Sequence, residues 1–127
     1  MSLLAIKATD RSPEIRFDFA SHRLLLKGEA YPENAAEFFG PLQRRLDAYL
    51  GALAAGTAVT FDIELIYFNS SSAKALMNLF DSLDAAAGRG LAVTVHWRYP
   101  EGDPSLREFG EEFGEDLANL RFELVGV

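Results

Sequence analysis

The sequence predicts a two-layer α/β sandwich: a mixed sheet of about five strands with three helices on one face. Three observations predict it. Strand-like and helix-like segments alternate through most of the chain. Every strand-like segment carries polar residues at alternate positions, so one sheet face is covered and the other is wet. A doubly wound sheet buries both faces and its strands read as unbroken apolar runs, which are absent here. Three further segments repeat apolar residues at helical spacing, and all three helices must then share the covered face. The 127 residues fit a single domain over 1–127, and 49% hydrophobic content with ten Phe supplies its core.

The elements follow in order. Ile15, Phe17 and Phe19 alternate with charged residues, and Leu24 and Leu26 alternate with Arg23, Lys27 and Glu29. Ala20-Ser21-His22 between them is short enough for a hairpin turn. The first helix starts near Asn34, where Asn34 and Glu37 have capping-box spacing, and runs through Phe38, Leu42, Leu46 and Leu53 to a stop at Gly56. Pro41 inside it is expected to kink the helix or delay its start. The third strand runs from about Val59 to Tyr67, with Val59, Phe61, Ile63, Leu65 and Tyr67 on the apolar side. The second helix begins by Ala73 and places Leu76, Met77, Phe80 and Leu83 on one face before Gly88 or Gly90. The fourth strand, Leu91 to Tyr99, sets Val93, Val95 and Trp97 inward. Asp103-Pro104 starts the third helix, and Arg121 to Val125 form the last strand. Tyr31, Phe38 and Phe39 are expected in the core.

Composition excludes several functions. Twelve Lys and Arg against nineteen Asp and Glu leave a net charge of −7. Such a surface repels phosphate backbones and anionic lipid, so neither nucleic acid nor a membrane is an expected partner. The absence of cysteine excludes disulfides and thiolate metal sites and fits a cytoplasmic protein. The apolar run at Met1–Ile6 is ended by Lys7, too early for a signal peptide. No cofactor motif is present.

Function concentrates where the third strand hands over to the second helix. Asn69, Ser70, Ser71 and Ser72 stand there, followed by Lys74. Sites of α/β proteins usually lie at the carboxyl ends of sheet strands. A serine caps the helix, and the free N–H groups and dipole of the first turn would hold a phosphate. Lys74, read as a first-turn residue, is a cation placed against the dipole, which makes sense if an anion visits. From the residues alone Ser70 and Ser71 are chemically equivalent acceptors. A small module that binds an anionic ligand at the same helix terminus is the alternative reading.

Tyr67-Phe68-Asn69-Ser70-Ser71-Ser72-Ala73-Lys74 with Ala75-Leu76-Met77 resembles the signature of the SiaC family of regulatory phosphoproteins. So do Ala8-Thr9-Asp10-Arg11-Ser12-Pro13-Glu14 and Gly28-Glu29-Ala30-Tyr31-Pro32-Glu33-Asn34. The resemblance covers essentially the whole chain. It implies a STAS-like fold, related to anti-sigma-factor antagonists, and partner switching. A Ser/Thr protein kinase would phosphorylate the protein and a PP2C-type phosphatase would reverse this. The unmodified form would bind and activate a diguanylate cyclase in c-di-GMP signalling and biofilm regulation. The family's acceptor, the hydroxyl residue directly after the Asn, corresponds to Ser70.

Other chemistry is poorly supported. A serine hydrolase needs a histidine and an oxyanion hole. Here His22 falls in a hairpin turn and His96 on the wet sheet face, and no nucleophile elbow exists. Glu108, Glu111, Glu112, Glu115 and Asp116 on the third helix read as a solvated acidic face, not a metal site. If the third and fourth strands are neighbours, Asp62 and Glu64 pair with His96 and Arg98 as sheet decoration.

Overall fold

A computed structural model describes residues 3–127 and gives a six-stranded mixed sheet. The elements are β1 (Leu3–Ile6), β2 (Glu14–Asp18), β3 (Arg23–Ala30), α1 (Ala35–Gly51), β4 (Ala58–Phe68), α2 (Ser70–Gly88), β5 (Ala92–Tyr99), α3 (Pro104–Glu115) and β6 (Arg121–Gly126). The strands lie side by side in chain order. β1, β2 and β3 form an antiparallel meander, and β3 through β6 are parallel, each joined to the next by a helix. The predicted sandwich is therefore present with one strand more than expected. That strand, β1, is a four-residue edge whose Leu4 and Ile6 are half-buried against the core and whose Leu3 and Ala5 are exposed, too short an alternation to announce it; Met1 and Ser2, which begin the apolar run noted above, lie outside the described residues.

Alternation places the core where expected. Ile15, Phe17, Leu24, Leu26, Phe61, Ile63, Val95 and Trp97 are at most 1% exposed and pack with Leu46, Leu76, Phe80 and Leu83 from the helices. Across the other face run polar and ionic pairs. His96 Nδ1 lies 2.7 Å from Asp62 Oδ1 and its Nε2 3.1 Å from Glu123 Oε1, while Arg98 Nε donates to Glu64 Oε1 at 3.0 Å. The expected pairing of β4 with β5 is thus present, with Asp62 opposite His96 and Glu64 opposite Arg98.

The start of α1 is as expected, and two other helix boundaries differ. α1 starts directly after its Asn34 cap, whose side chain accepts from the Glu37 N–H at 3.0 Å, so Pro41 at an exposed position does not delay it. α1 ends at Gly51, not at Gly56, which instead takes φ +90° in the turn into β4. α2 begins at Ser70, three residues before Ala73. α3 starts as expected, with Asp103 Oδ1 accepting from the Leu106 N–H at 3.1 Å and Pro104 at its first turn.

Two anchors fix the frame around α2 and α3. Asp84 on α2 accepts the backbone N–H groups of Ala118, Asn119 and Leu120 at 3.3, 2.8 and 2.9 Å, holding the turn that leads into β6. Gly110 of α3 lies so close to the sheet that an added Cβ would stand 2.4 Å from Trp97 Cδ1, and the Trp97 indole N–H donates to the Leu106 carbonyl at 2.9 Å. On the other flank His22, at φ 60°, holds the β2–β3 turn with its Nδ1 against the Tyr49 hydroxyl; burial pushes that phenol up to about 12.

Candidate functional site

The strand-to-helix junction is built by a β-bulge and a cap. Through Leu65 the alternation of β4 holds, and Gly28 of β3 pairs with Leu65. Glu29 then pairs with Tyr67, so Ile66 is an extra residue in β4. The phase of the strand reverses there. Ile66 and Tyr67 both face solvent, 67% and 53% exposed, and Phe68 turns inward. Tyr67 is therefore not in the core, contrary to the sequence expectation, because the bulge breaks the period of two on which that expectation rested. Phe68 takes the inward place, with its ring centroid 5.0 Å from Phe109, 6.0 Å from Phe113 and 6.1 Å from Trp97. α3 thus holds the last residue of β4 from one side.

Asn69 follows with extended backbone, and its side chain accepts from the Ser72 N–H at 2.9 Å. Its own N–H donates to the Ala30 carbonyl at 3.3 Å, tying the turn to the end of β3. Asn69 is the cap, where a serine was expected. Asn ranks at least as high as Ser at this position, and its capping leaves all three serines helical. Ser70, Ser71 and Ser72 are accordingly the first three residues of α2. The N–H groups of Ser70 and Ser71 occupy positions where a helix supplies no carbonyl.

The three hydroxyls have different surroundings. Ser70 and Ser71 are exposed, whereas Ser72 is fully buried and its Oγ has no hydrogen-bond partner among the described residues. Ser71 lines an open groove of about 1280 Å³ between the starts of α1 and α2, together with Asn69, Lys74, Glu33, Glu37 and Phe38. Ser70 lies outside that lining. Lys74 is the fifth helical residue, not a first-turn one, since α2 starts at Ser70. The dipole fades beyond the first turn, so no electrostatic misplacement of Lys74 remains to be explained. Its spacings of four from Ser70 and three from Ser71 make it a neighbour of both, and it lines the groove with Ser71.

A second cluster adjoins the junction and was not foreseen in the sequence. Tyr31, expected in the core, is only half-buried, and its ring meets that of Tyr67 edge-on at 5.4 Å. The Arg11 guanidinium lies 5.6 Å from the Tyr31 ring, and the Tyr31 N–H donates to the Arg11 carbonyl at 2.7 Å. Of the aromatic pair expected inside near it, Phe39 is buried and Phe38 is half-buried at the groove. The acidic face of α3 is exposed as expected, and no group of carboxylates or histidines among the described residues is arranged to hold a metal ion. Among those residues, too, no helix is long and apolar enough to cross a membrane.

A one-sided α/β sheet with a hydroxyl-rich junction at a strand's carboxyl end defines a small α/β domain with one candidate site at that junction. Residues 6–127 match the family described as SiaC family regulatory phosphoprotein, and the chain belongs to that family. An uncharacterised protein of Pseudomonas aeruginosa (strain UCBPP-PA14) is 35% identical over 118 residues, which cover 93% of this chain and 92% of that one. The crystal structure of apo-SiaC from Pseudomonas aeruginosa superposes with a TM-score of 0.90 at 33% identity, covering 99% of this chain and 100% of the other. SiaC in the crystal structure of the diguanylate cyclase SiaD in complex with its activator SiaC, from the same organism, gives 0.91 at 32% identity, covering 98% and 99%.

Proposed function

We propose that this protein is a phosphorylation-controlled docking switch whose acceptor is Ser70. In its unmodified form it binds and activates a diguanylate cyclase. A Ser/Thr protein kinase adds the phosphate and a PP2C-type phosphatase removes it. One observation carries the choice of residue: Ser70 is the exposed first residue of a 19-residue helix, directly after the capping Asn69. A phosphate at that position receives free N–H groups and the favourable end of the helix dipole, and Lys74 is four residues away on the same face. Ser72 is inaccessible, and a phosphate on Ser71 would enter a groove that holds two carboxylates, Glu33 and Glu37, against one cation, Lys74. Those two carboxylates also weigh against the same groove holding a free anionic ligand.

The added dianion acts on the docking surface by charge and bulk, without unfolding a helix whose cap is independent of Ser70. Intact and tryptic mass spectrometry after incubation with the cognate kinase tests the assignment. A single 80-dalton-class addition is expected on the peptide containing Ser70, lost in Ser70→Ala. Ser70→Ala is expected to bind the cyclase as the parent does, and Ser70→Asp to bind it more weakly. Equal binding by both variants would reduce Ser70 to a structural helix residue.

A further inference from the structure

On the reading that a cyclase docks beside Ser70, we propose that Ile66, Tyr67 and Tyr31 form its apolar anchor site, and that the occupant is a cyclase segment presenting a bulky apolar side chain next to a carboxylate. The described residues contain five large exposed apolar side chains: Leu3, Ile66, Tyr67, Phe109 and Val127. Ile66 and Tyr67 are the two most exposed, and they are consecutive. Consecutive residues of a regular strand point to opposite faces, so one of this pair would normally be buried. The bulge opposite Gly28–Glu29 removes that constraint and turns both outward at the place where β4 meets Ser70.

The platform is ordered before any partner arrives. Tyr31 packs edge-on against Tyr67, and its backbone is bonded to Arg11. The Arg11 loop is fixed in turn by Thr9 Oγ1, which accepts the N–H groups of Arg11 and Ser12 at 3.2 and 3.0 Å. Rigid tyrosines lose little entropy on binding and dominate interface energetics. Charge sets the flanking chemistry. Arg11 lies over Tyr31 and, among the described residues, has no carboxylate within ion-pair distance; Arg16 and Lys74 are likewise in no ion pair, whereas Arg23, Lys27, Arg98 and Arg121 are paired, so it is the position of Arg11 against Tyr31 that puts a free cation at the anchor site. An incoming carboxylate complements Arg11. It also explains the sign of the switch, because a phosphate three residues beyond Tyr67 repels a carboxylate and would attract a basic partner.

Calorimetric titration of the full chain against the diguanylate cyclase of its own organism tests this. Tyr67→Ala and Ile66→Ser are each expected to weaken binding by about 30-fold, a hot-spot loss. Arg11→Glu is expected to weaken it by about tenfold or more at low salt. Leu3→Ser, an exposed apolar site at the opposite end of the sheet, should leave binding unchanged, and thermal melting should show all four variants folded. Parent-like binding by Tyr67→Ala and Ile66→Ser while Ser70→Asp still weakens binding would overturn the anchor site and leave the switch intact. Tighter binding by Arg11→Glu would overturn the flanking carboxylate. If the unmodified parent neither binds nor stimulates the cyclase, the docking reading itself fails, and the anchor site with it.

Discussion

Gly110→Ala tests the packing that holds the junction in place. An ideal Cβ at Gly110 would stand 2.4 Å from Trp97 Cδ1 and 2.7 Å from both Trp97 Nε1 and Leu124 Cδ2. Carbon contacts are comfortable near about 3.5–4 Å, so α3 must retreat by about 1 Å or Trp97 must rotate. A retreat of that size stretches the 2.9 Å bond from the Trp97 indole to the Leu106 carbonyl beyond hydrogen-bond range. Overpacking costs about 1–3 kcal/mol and the lost buried bond about 1 kcal/mol more, while alanine's better helix propensity returns about 1 kcal/mol. The net expectation is a loss of about 1–3 kcal/mol, or a fall in Tm of about 4–11 °C for a chain of this length. Urea unfolding followed by the fluorescence of Trp97, the single tryptophan, measures the loss and reports the displaced indole directly. Gly51→Ala is the control: its added Cβ meets nothing within 4 Å, so it should be neutral or slightly stabilising. A Gly110→Ala variant as stable as Gly51→Ala, with an unchanged Trp97 spectrum, would refute the close approach. It would also remove the argument that α3, through Phe109 and Phe113, holds Phe68 beneath the switch.

Three further outcomes are expected. Asn69→Ala should lose about 1 kcal/mol in chemical denaturation, because the Ser72 N–H loses its acceptor, and Asn69→Asp should recover most of it. Ser72→Ala should be neutral or stabilising by up to about 1 kcal/mol in the same assay, since it removes a buried hydroxyl with no protein partner. Asp84→Ala should release the turn before β6 and cost about 1–2 kcal/mol. Burial pushes the Asp84 carboxyl up, but the N–H groups of Leu120, Asn119 and Ala118 outweigh it and hold the carboxyl below its ordinary value. Its stabilisation is therefore complete above the unfolded carboxylate range, near about pH 4, and is lost as pH falls through the lower folded value. Thermal melts from pH 7 down to 3 should show a shallower acid decline in the variant than in the parent.

Most of the fold was legible because one physical signal, alternation against a single buried face, repeats in β2, β3, β4 and β5. The same pattern put Asp62, Glu64, His96 and Arg98 on the wet face, and their pairing followed once β4 and β5 proved to be neighbours. The signal failed where the backbone departs from regularity. Leu65-Ile66-Tyr67-Phe68 is apolar throughout, so the residues do not reveal that Ile66 is extra, and Tyr67 and Phe68 exchange faces. β1 is too short to show a period. α2 starts three residues earlier than the serine run suggests, because serine is only a middling helix former while Asn69 can cap the helix and leave all three serines inside it. That shift also moved Lys74 from the first turn to the second. The serine segment itself was legible, yet the different exposure of Ser70, Ser71 and Ser72 depends on the helix phase and so required the three-dimensional structure.

The strands stand in the sheet in the order in which they leave the ribosome. No strand has to be threaded between two others that are already bonded, and each finds its partner no further away than one helical crossover. The antiparallel meander β1–β3 closes over short turns, whereas each parallel pair from β3 to β6 must close over a helical crossover, the slower kind of step. The junction at Ser70 therefore rests on contacts made across two such crossovers: β3 on one side through the Asn69 N–H, and α3 on the other through Phe68.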